Sequence, residues 1–284
     1  MGATTETGFG WATPVLSYAM SCVGAALGLR CTVRALDLTG RAKNNWLLAG
    51  AVSIGAGIWT MHFIAMLGFA VTGTEIRYAV GLTLLSLLVP IALTFAGMLI
   101  VGYGRSRARS LSIGGVVTGF GVVVMHYTGM AAMRLNGSLR FDAGTVALSI
   151  LIAVAAATAA LWAGLTIRGP VAAVGASLIM GVAVTAMHYT GMRAAEVSVA
   201  TATVATGRVP GGGATAMAFI LPMIVCLGSA LFLTSAFVAL SPTGAPTDTS
   251  ADPDSPWRPR ENADGADGVG PRPVRAGEGQ NAHA

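Results

Sequence analysis

The sequence predicts an all-α polytopic membrane protein of seven transmembrane helices, built from three repeated helix hairpins plus a final helix. Three features carry this. Of 284 residues, 54% are hydrophobic and only 10% charged, with a mean hydropathy of +0.70. A soluble domain carries about 25% charged residues. Apolar runs of twenty residues or more recur along the chain, enough to cross a hydrocarbon core of about 30 Å. A short string, Met-His-(Tyr/Phe)-x-(Gly/Ala)-Met, returns three times at a nearly constant interval.

The expected spans are 11–33, 46–70, 78–102, 111–133, 144–167, 171–195 and 215–240. They form one membrane domain over 11–240, after a short extracytoplasmic start at 1–10. The first span reads as retained rather than as a cleaved signal peptide, because its flank MGATTETGFG has no positive charge, only Glu6. Pro90 and Pro222 fall inside the third and seventh spans, where a kink is expected. Cys22, Cys31 and Cys226 form no C-x-x-C pair and read as small buried residues without disulfides. Beyond Leu240 the composition turns to Pro, Gly, Asp and Ala. With Trp257, Val269 and Val274 as its only large apolar residues, 241–284 is expected to be a disordered cytoplasmic tail without an output domain.

Charge then orients the domain. Residues 1–240 hold thirteen Lys/Arg against five Asp/Glu, while the tail holds four against seven. The basic excess lies between the apolar spans. That is where it sets topology, and it leaves no exposed basic face for nucleic acid. Arg30, Arg34, Arg41, Lys43, Arg105, Arg107, Arg109, Arg168 and the tail arginines fall on one side; Arg77, Arg134, Arg140, Arg193 and Arg208 fall on the other. Twelve basic residues against five predict a multi-pass cell-membrane protein with its N-terminus outside and its C-terminus in the cytoplasm.

The repeated histidines are His62, His126 and His188, separated by 64 and 62 residues. A period of that length signals a duplicated helix hairpin. Gly55, Gly119 and Gly181 lie seven residues before each histidine. Met61, Met125 and Met187 lie one before; Met66, Met130 and Met192 lie four after. An even number of crossings separates the copies, so all three sit on one side of the membrane. With the charge bias, the even spans run outward and the histidines lie roughly 10–14 Å below the outer surface.

Positions i and i+4 share a helix face, so each motif places an imidazole beside a thioether, with a second thioether about 100° away. Neutral imidazole and soft thioether suit copper, especially Cu(I), and need no carboxylate. Haem iron also takes His and Met axially. Gly55, Gly57, Gly119, Gly121, Gly175 and Gly181 offer the small surfaces that let membrane helices approach. A purely structural hairpin, copied twice, would repeat its histidines as well. Tyr127 and Tyr189 follow two of the histidines but Phe63 follows the first, so a hydroxyl is not required at every copy. The chain has no G-x-x-x-x-G-K-(S/T), no H-E-x-x-H and no nucleophile–base pair, and it is not expected to be an enzyme.

The three copies on alternate helices resemble the MHYT-domain family of bacterial integral membrane sensors over residues 11–240. The resemblance implies a seven-span domain with motifs near the outer face and copper bound through motif His and Met residues. It also implies a diatomic gas such as O2, CO or NO as the signal. Carried onto this chain, the ligands are His62, Met66, His126, Met130, His188 and Met192, with Met61, Met125 and Met187 secondary. Phe63, Ile64 and Ala65 depart from the literal motif, yet His62 and Met66 are kept. Many members continue into cyclic-di-GMP synthesis or hydrolysis domains. Here the tail implies a separate cytoplasmic signalling partner. A haem-dependent electron carrier and a copper-handling protein are the competing functions.

Overall fold

The computed structural model describes residues 4–6, 10–71, 76–135, 137–199 and 213–240. The tail at 241–284, like Arg208, lies outside the described residues. One unit, strand–helix–helix–strand, occurs three times. The first copy is β1 (Thr4–Glu6), α1 (Ala12–Leu36), α2 (Gly40–Leu67) and β2 (Phe69–Val71). The second is β3 (Arg77–Tyr78), α3 (Val80–Tyr103), α4 (Arg107–Ala132) and β4 (Met133–Arg134). The third is β5 (Gly137–Phe141), α5 (Ala143–Thr166), α6 (Pro170–Arg193) and β6 (Ala195–Val199). A short strand, β7 (Ala214–Thr215), and a π-helical turn at Ala216–Ile220 lead into α7 (Leu221–Leu240). Seven helices among the described residues are long and apolar enough to cross a membrane.

The strands were not legible in the sequence, and they define the repeat. In each copy the strand before the odd helix pairs antiparallel with the strand after the even helix. The registers are Thr4↔Val71, Arg77↔Arg134 and Gly137↔Val199. β7 joins the free edge of β3. Chain leaving a helix end must pair its N–H and C=O groups, and short ladders do this at one end of the bundle.

Each odd helix packs on the even helix of its own copy and on that of the preceding copy, closing a ring from α1 to α6. The even helices meet one another on the axis, and α7 lies against α1 and α2. With α7 on one side, α2 is the most deeply buried span.

Glycines set this ring. A methyl group on Gly55 would meet Ile91 of α3, one on Gly119 would stand 2.7 Å from Val154 Cα of α5, and one on Gly181 would strike Cys22 of α1. The glycine seven residues before each histidine therefore seats the even helix on the next copy. Gly57 and Gly121 instead face their own hairpin partners, Gly24 and Leu93. Gly175 differs from expectation: nothing lies within 4 Å of a methyl group there, so it sets no helix contact.

Other expectations are corrected. The basic stretches 34–45 and 103–110 are mostly helix, leaving links only at Asp37–Thr39 and Gly104–Ser106. Long basic side chains let a helix continue into the polar zone while the charge reaches water or a carbonyl. Lys43 shows this, donating to Gly102 O at 2.7 Å and capping the end of α3. The α5–α6 turn is tight as expected, with Gly169 at φ 88° ahead of Pro170 in the first helical turn. Pro222 lies where the π-helical turn of Ala216–Ile220 passes directly into α7, a local departure from α geometry beside the proline. Cys226 is exposed on α7, not buried, while Cys31 is buried and all three thiols are free.

Candidate metal centre

His62, His126 and His188 come together on the bundle axis. Their ring centroids form a nearly equilateral triangle, 5.0, 5.0 and 5.1 Å on a side, and each pair of rings is close to perpendicular. Each histidine is at most 1% exposed. His62 Nδ1 stands 3.1 Å from His188 Nδ1 and 3.2 Å from His126 Nδ1. One nitrogen from each of the three histidines lies within 4.8 Å of the others.

That contact set is not satisfied by hydrogen bonds alone. A neutral imidazole nitrogen offers one N–H or one lone pair, never both. His62 Nδ1 has two nitrogen neighbours, so its one proton or one lone pair must be shared between two contacts. A cation removes the conflict by accepting a lone pair from each ring. Two nitrogens held about 2.0–2.1 Å from one ion at a tetrahedral angle stand about 3.3–3.4 Å apart, close to the observed separations. Imidazole binds a metal in its neutral form, and among the described residues no carboxylate joins the cluster.

The rings are aimed by packing. The opposite nitrogens, His62 Nε2 and His126 Nε2, are buried without a hydrogen-bond partner. Each abuts a glycine of the next copy: a methyl group on Gly129 would stand 2.6 Å from His62 Nε2, and one on Gly191 would overlap His126 Nε2. These glycines lie three residues after His126 and His188. They are the fifth letter of MHYTGM, a signal plain in the string but without an assigned task until the helices are assembled. The corresponding residue of the first copy is Ala65.

The aromatic residue after each histidine makes a repeated edge-to-face contact with it. Centroids are 4.8 Å apart for Phe63, 4.9 Å for Tyr127 and 5.1 Å for Tyr189. Phenylalanine serves as well as tyrosine because the ring is what packs. Tyr127 Oη bonds Ser149 Oγ at 2.8 Å, away from the histidines. On the strand side, Tyr78 is buried against Phe63, and burial pushes its phenol up, keeping it neutral. Met61, Met66, Met125, Met130 and Met187 are buried in the core cluster that surrounds the centre, and Met192 packs against it.

Residues 55–114 and 119–177 match the MHYT family, described as the bacterial signalling protein N-terminal repeat. The chain belongs to the MHYT family. Each matched stretch of this MHYT chain begins at the glycine seven residues before a motif histidine. The third motif lies outside those two stretches, yet its His188 completes the triangle. The chain is 37% identical over 211 residues to the bifunctional diguanylate cyclase/cyclic di-GMP phosphodiesterase MucR of Pseudomonas aeruginosa, covering 70% of this chain and 31% of that protein. It is 36% identical over 197 residues to the cyclic di-GMP phosphodiesterase NbdA of the same organism, covering 64% and 25%. It is 28% identical over 191 residues to the signaling protein YkoW of Bacillus subtilis, covering 63% and 23%. The chain thus spans less than a third of these curated relatives. No solved structure matches it.

Proposed function

We propose that this MHYT protein is a membrane sensor whose input is a copper centre held by His62, His126 and His188. The single observation that carries the reading is the meeting of three buried Nδ1 atoms, one of which has more nitrogen neighbours than hydrogen-bonding valences. Copper, as Cu(I), suits a neutral imidazole set in an apolar surround without carboxylates. Met66, Met130 and Met192 are the thioethers proposed to complete or flank it. Bound copper would supply a site that a diatomic gas such as O2, CO or NO can occupy. The protein's own part is to aim three lone pairs at one point and keep bulk water away. Two relatives are named as cyclic di-GMP enzymes. A cytoplasmic partner acting on cyclic di-GMP is the downstream class we propose for the signal.

The test is metal content of the full chain purified in lipid nanodiscs, together with its His62→Ala, His126→Ala and His188→Ala variants. Copper near one per chain, lost sharply in each variant, is expected. Copper unchanged in all three variants would end the ligand assignment. Loss of thermal stability by the same amount with and without copper would favour histidines that serve packing alone.

A further inference from the structure

β3 has a neighbour on each side, β4 and β7, whereas among the described residues β5 pairs with β6 alone. The two strands are copies of one another. Arg77–Tyr78 stands one residue before α3, and Arg140–Phe141 stands one residue before α5. Tyr78 packs on Phe63 and Phe141 on Tyr127, the aromatic residues that follow His62 and His126. The backbone repeats as well: Ala79 N–H donates to Ala132 O and Asp142 N–H to Ala194 O, both at 2.9 Å. Bonding alternates along an antiparallel strand. The N–H and C=O groups of Tyr78 therefore turn away from β4, and those of Leu139 and Phe141 turn away from β6. Tyr78 meets Ala214 of β7 there, while Leu139 and Phe141 have no strand beyond them among the described residues.

The helices beside the two strands differ in the same way. Ile220 and Ile224, from the π-helical turn and α7, share one core with Phe63 and Tyr78. Tyr78 is 2% exposed there, and Ala56, six residues before His62, is 3% exposed. At the matching positions Phe141 is 40% exposed and Phe120 is 57% exposed. Lipid can cover a phenylalanine, but hydrocarbon cannot pair the outward backbone groups of Leu139 and Phe141. Edge strands that stay alone are blunted by lysine, proline or an unpaired charge. Gly137–Phe141 has no lysine or proline, and its Arg140 already stands opposite Glu196 of β6.

β7 and α7 show what fits such an edge. The strand runs antiparallel to β3 and leads straight into a helix that, by span count, crosses in the same direction as α3. Antiparallel strands that enter like-directed helices must lie across the end of the bundle. β5 and α5 of a second copy have that same form, a strand leading into a like-directed helix. A twofold axis along the membrane normal keeps both copies in one orientation and sets two crosswise strands antiparallel. We infer that β5 and the Phe120 face of α4 form a dimer interface with a second copy of this chain. Outward groups pair only with outward groups, which sets Leu139 opposite its own twofold mate and Gly137 opposite Phe141, in one four-stranded sheet of order β6-β5-β5-β6. The histidines take no part, so the interface stands apart from the copper reading.

The test uses the metal-free full chain in lipid vesicles at a series of protein-to-lipid ratios, with the dimer fraction read by single-molecule photobleaching. A dimer that dissociates on dilution is expected. Leu139→Pro removes an outward N–H and spares the bonds of Ser138 and Arg140 to β6, so the fold should hold while dimer affinity falls about tenfold or more. Directly opposed residues have Cα atoms about 5.5 Å apart, within disulfide reach. In a Cys226→Ala background, diamide should therefore cross-link Leu139→Cys to its mate and leave Ser138→Cys uncross-linked. Should Leu139→Pro fail to fold, Phe120→Ala on the lipid-exposed face is expected to weaken the dimer without unfolding the chain. A chain that stays monomeric at every ratio, with the edge left open or covered by something else, overturns the interface. So does a dimer undiminished in folded Leu139→Pro and Phe120→Ala, or equal cross-linking at 138 and 139. His62→Ala should dimerise like the wild type, so loss of the copper centre and loss of the interface are read separately.

Discussion

One nitrogen of His62 faces two others, while its second is buried beside Gly129 without a hydrogen-bond partner. The ring has no hydrogen bond that fixes its angle from behind, so Gly129 and Gly191 act as positioning residues. Gly191→Ala puts a methyl group into the His126 ring. It is expected to cost about 1–3 kcal/mol and to lower copper content, measured by thermal unfolding and metal analysis on one sample. Tyr127→Phe removes only the bond to Ser149. A loss of about 1 kcal/mol with copper content unchanged is expected; a fall in copper would give the hydroxyl a part in the centre. Met66→Leu, Met130→Leu and Met192→Leu preserve bulk, so stability should change by less than about 1.5 kcal/mol while Cu(I) affinity falls. Equal affinity in all three would remove the thioethers from the ligand set.

At the scale of elements, small residues decide which helices touch. Gly119 packs on the backbone of α5, so Gly119→Ala is expected to destabilise by about 1–3 kcal/mol. Gly175 sits in the same kind of apolar helix with open space before it, and Gly175→Ala should stabilise by about 0.5–1 kcal/mol through helix propensity. Opposite signs for the two, read by thermal unfolding in one lipid, are the prediction; equal losses would mean that glycine serves flexibility and not contact. Asp142 caps α5 by accepting from the N–H and hydroxyl of Thr145, which holds its carboxyl below the usual carboxylate range. The sign follows: this stabilisation is present above that range and is lost as pH falls through the lowered value. Asp142→Asn should keep a cap while abolishing that dependence, as seen in unfolding scans between neutral and acid pH.

For the whole molecule, the three copies put every motif at one end of the bundle, beside the strand pairs, whatever the orientation in the membrane. The charge bias predicts that this end faces the outside. Reporter fusions after Leu240 and within 137–141 should therefore report cytoplasm and exterior respectively; an exterior signal from the Leu240 fusion would reverse the assignment. Deleting 243–284 should leave insertion and metal content intact, since that segment holds few large apolar residues. Failure to insert would give it a structural part, whereas lost signalling with intact metal would point to partner docking.

The sequence by itself determined the seven spans, the duplication, and the equal register of His62, His126 and His188, because length, hydropathy and spacing are local properties that a helix converts directly into depth. It also showed the glycines seven residues before each histidine, while leaving Gly175 indistinguishable from them. Only the tertiary structure decided that the even helices face one another and that Nδ1, not Nε2, of His62 faces the other two histidines. Those outcomes depend on which helix lies next to which, and a side chain's neighbours across a bundle leave no trace in its own spacing. The strand pairs were hidden for a related reason: strands of two to five residues are too short to show a period, and their partners lie across a whole hairpin.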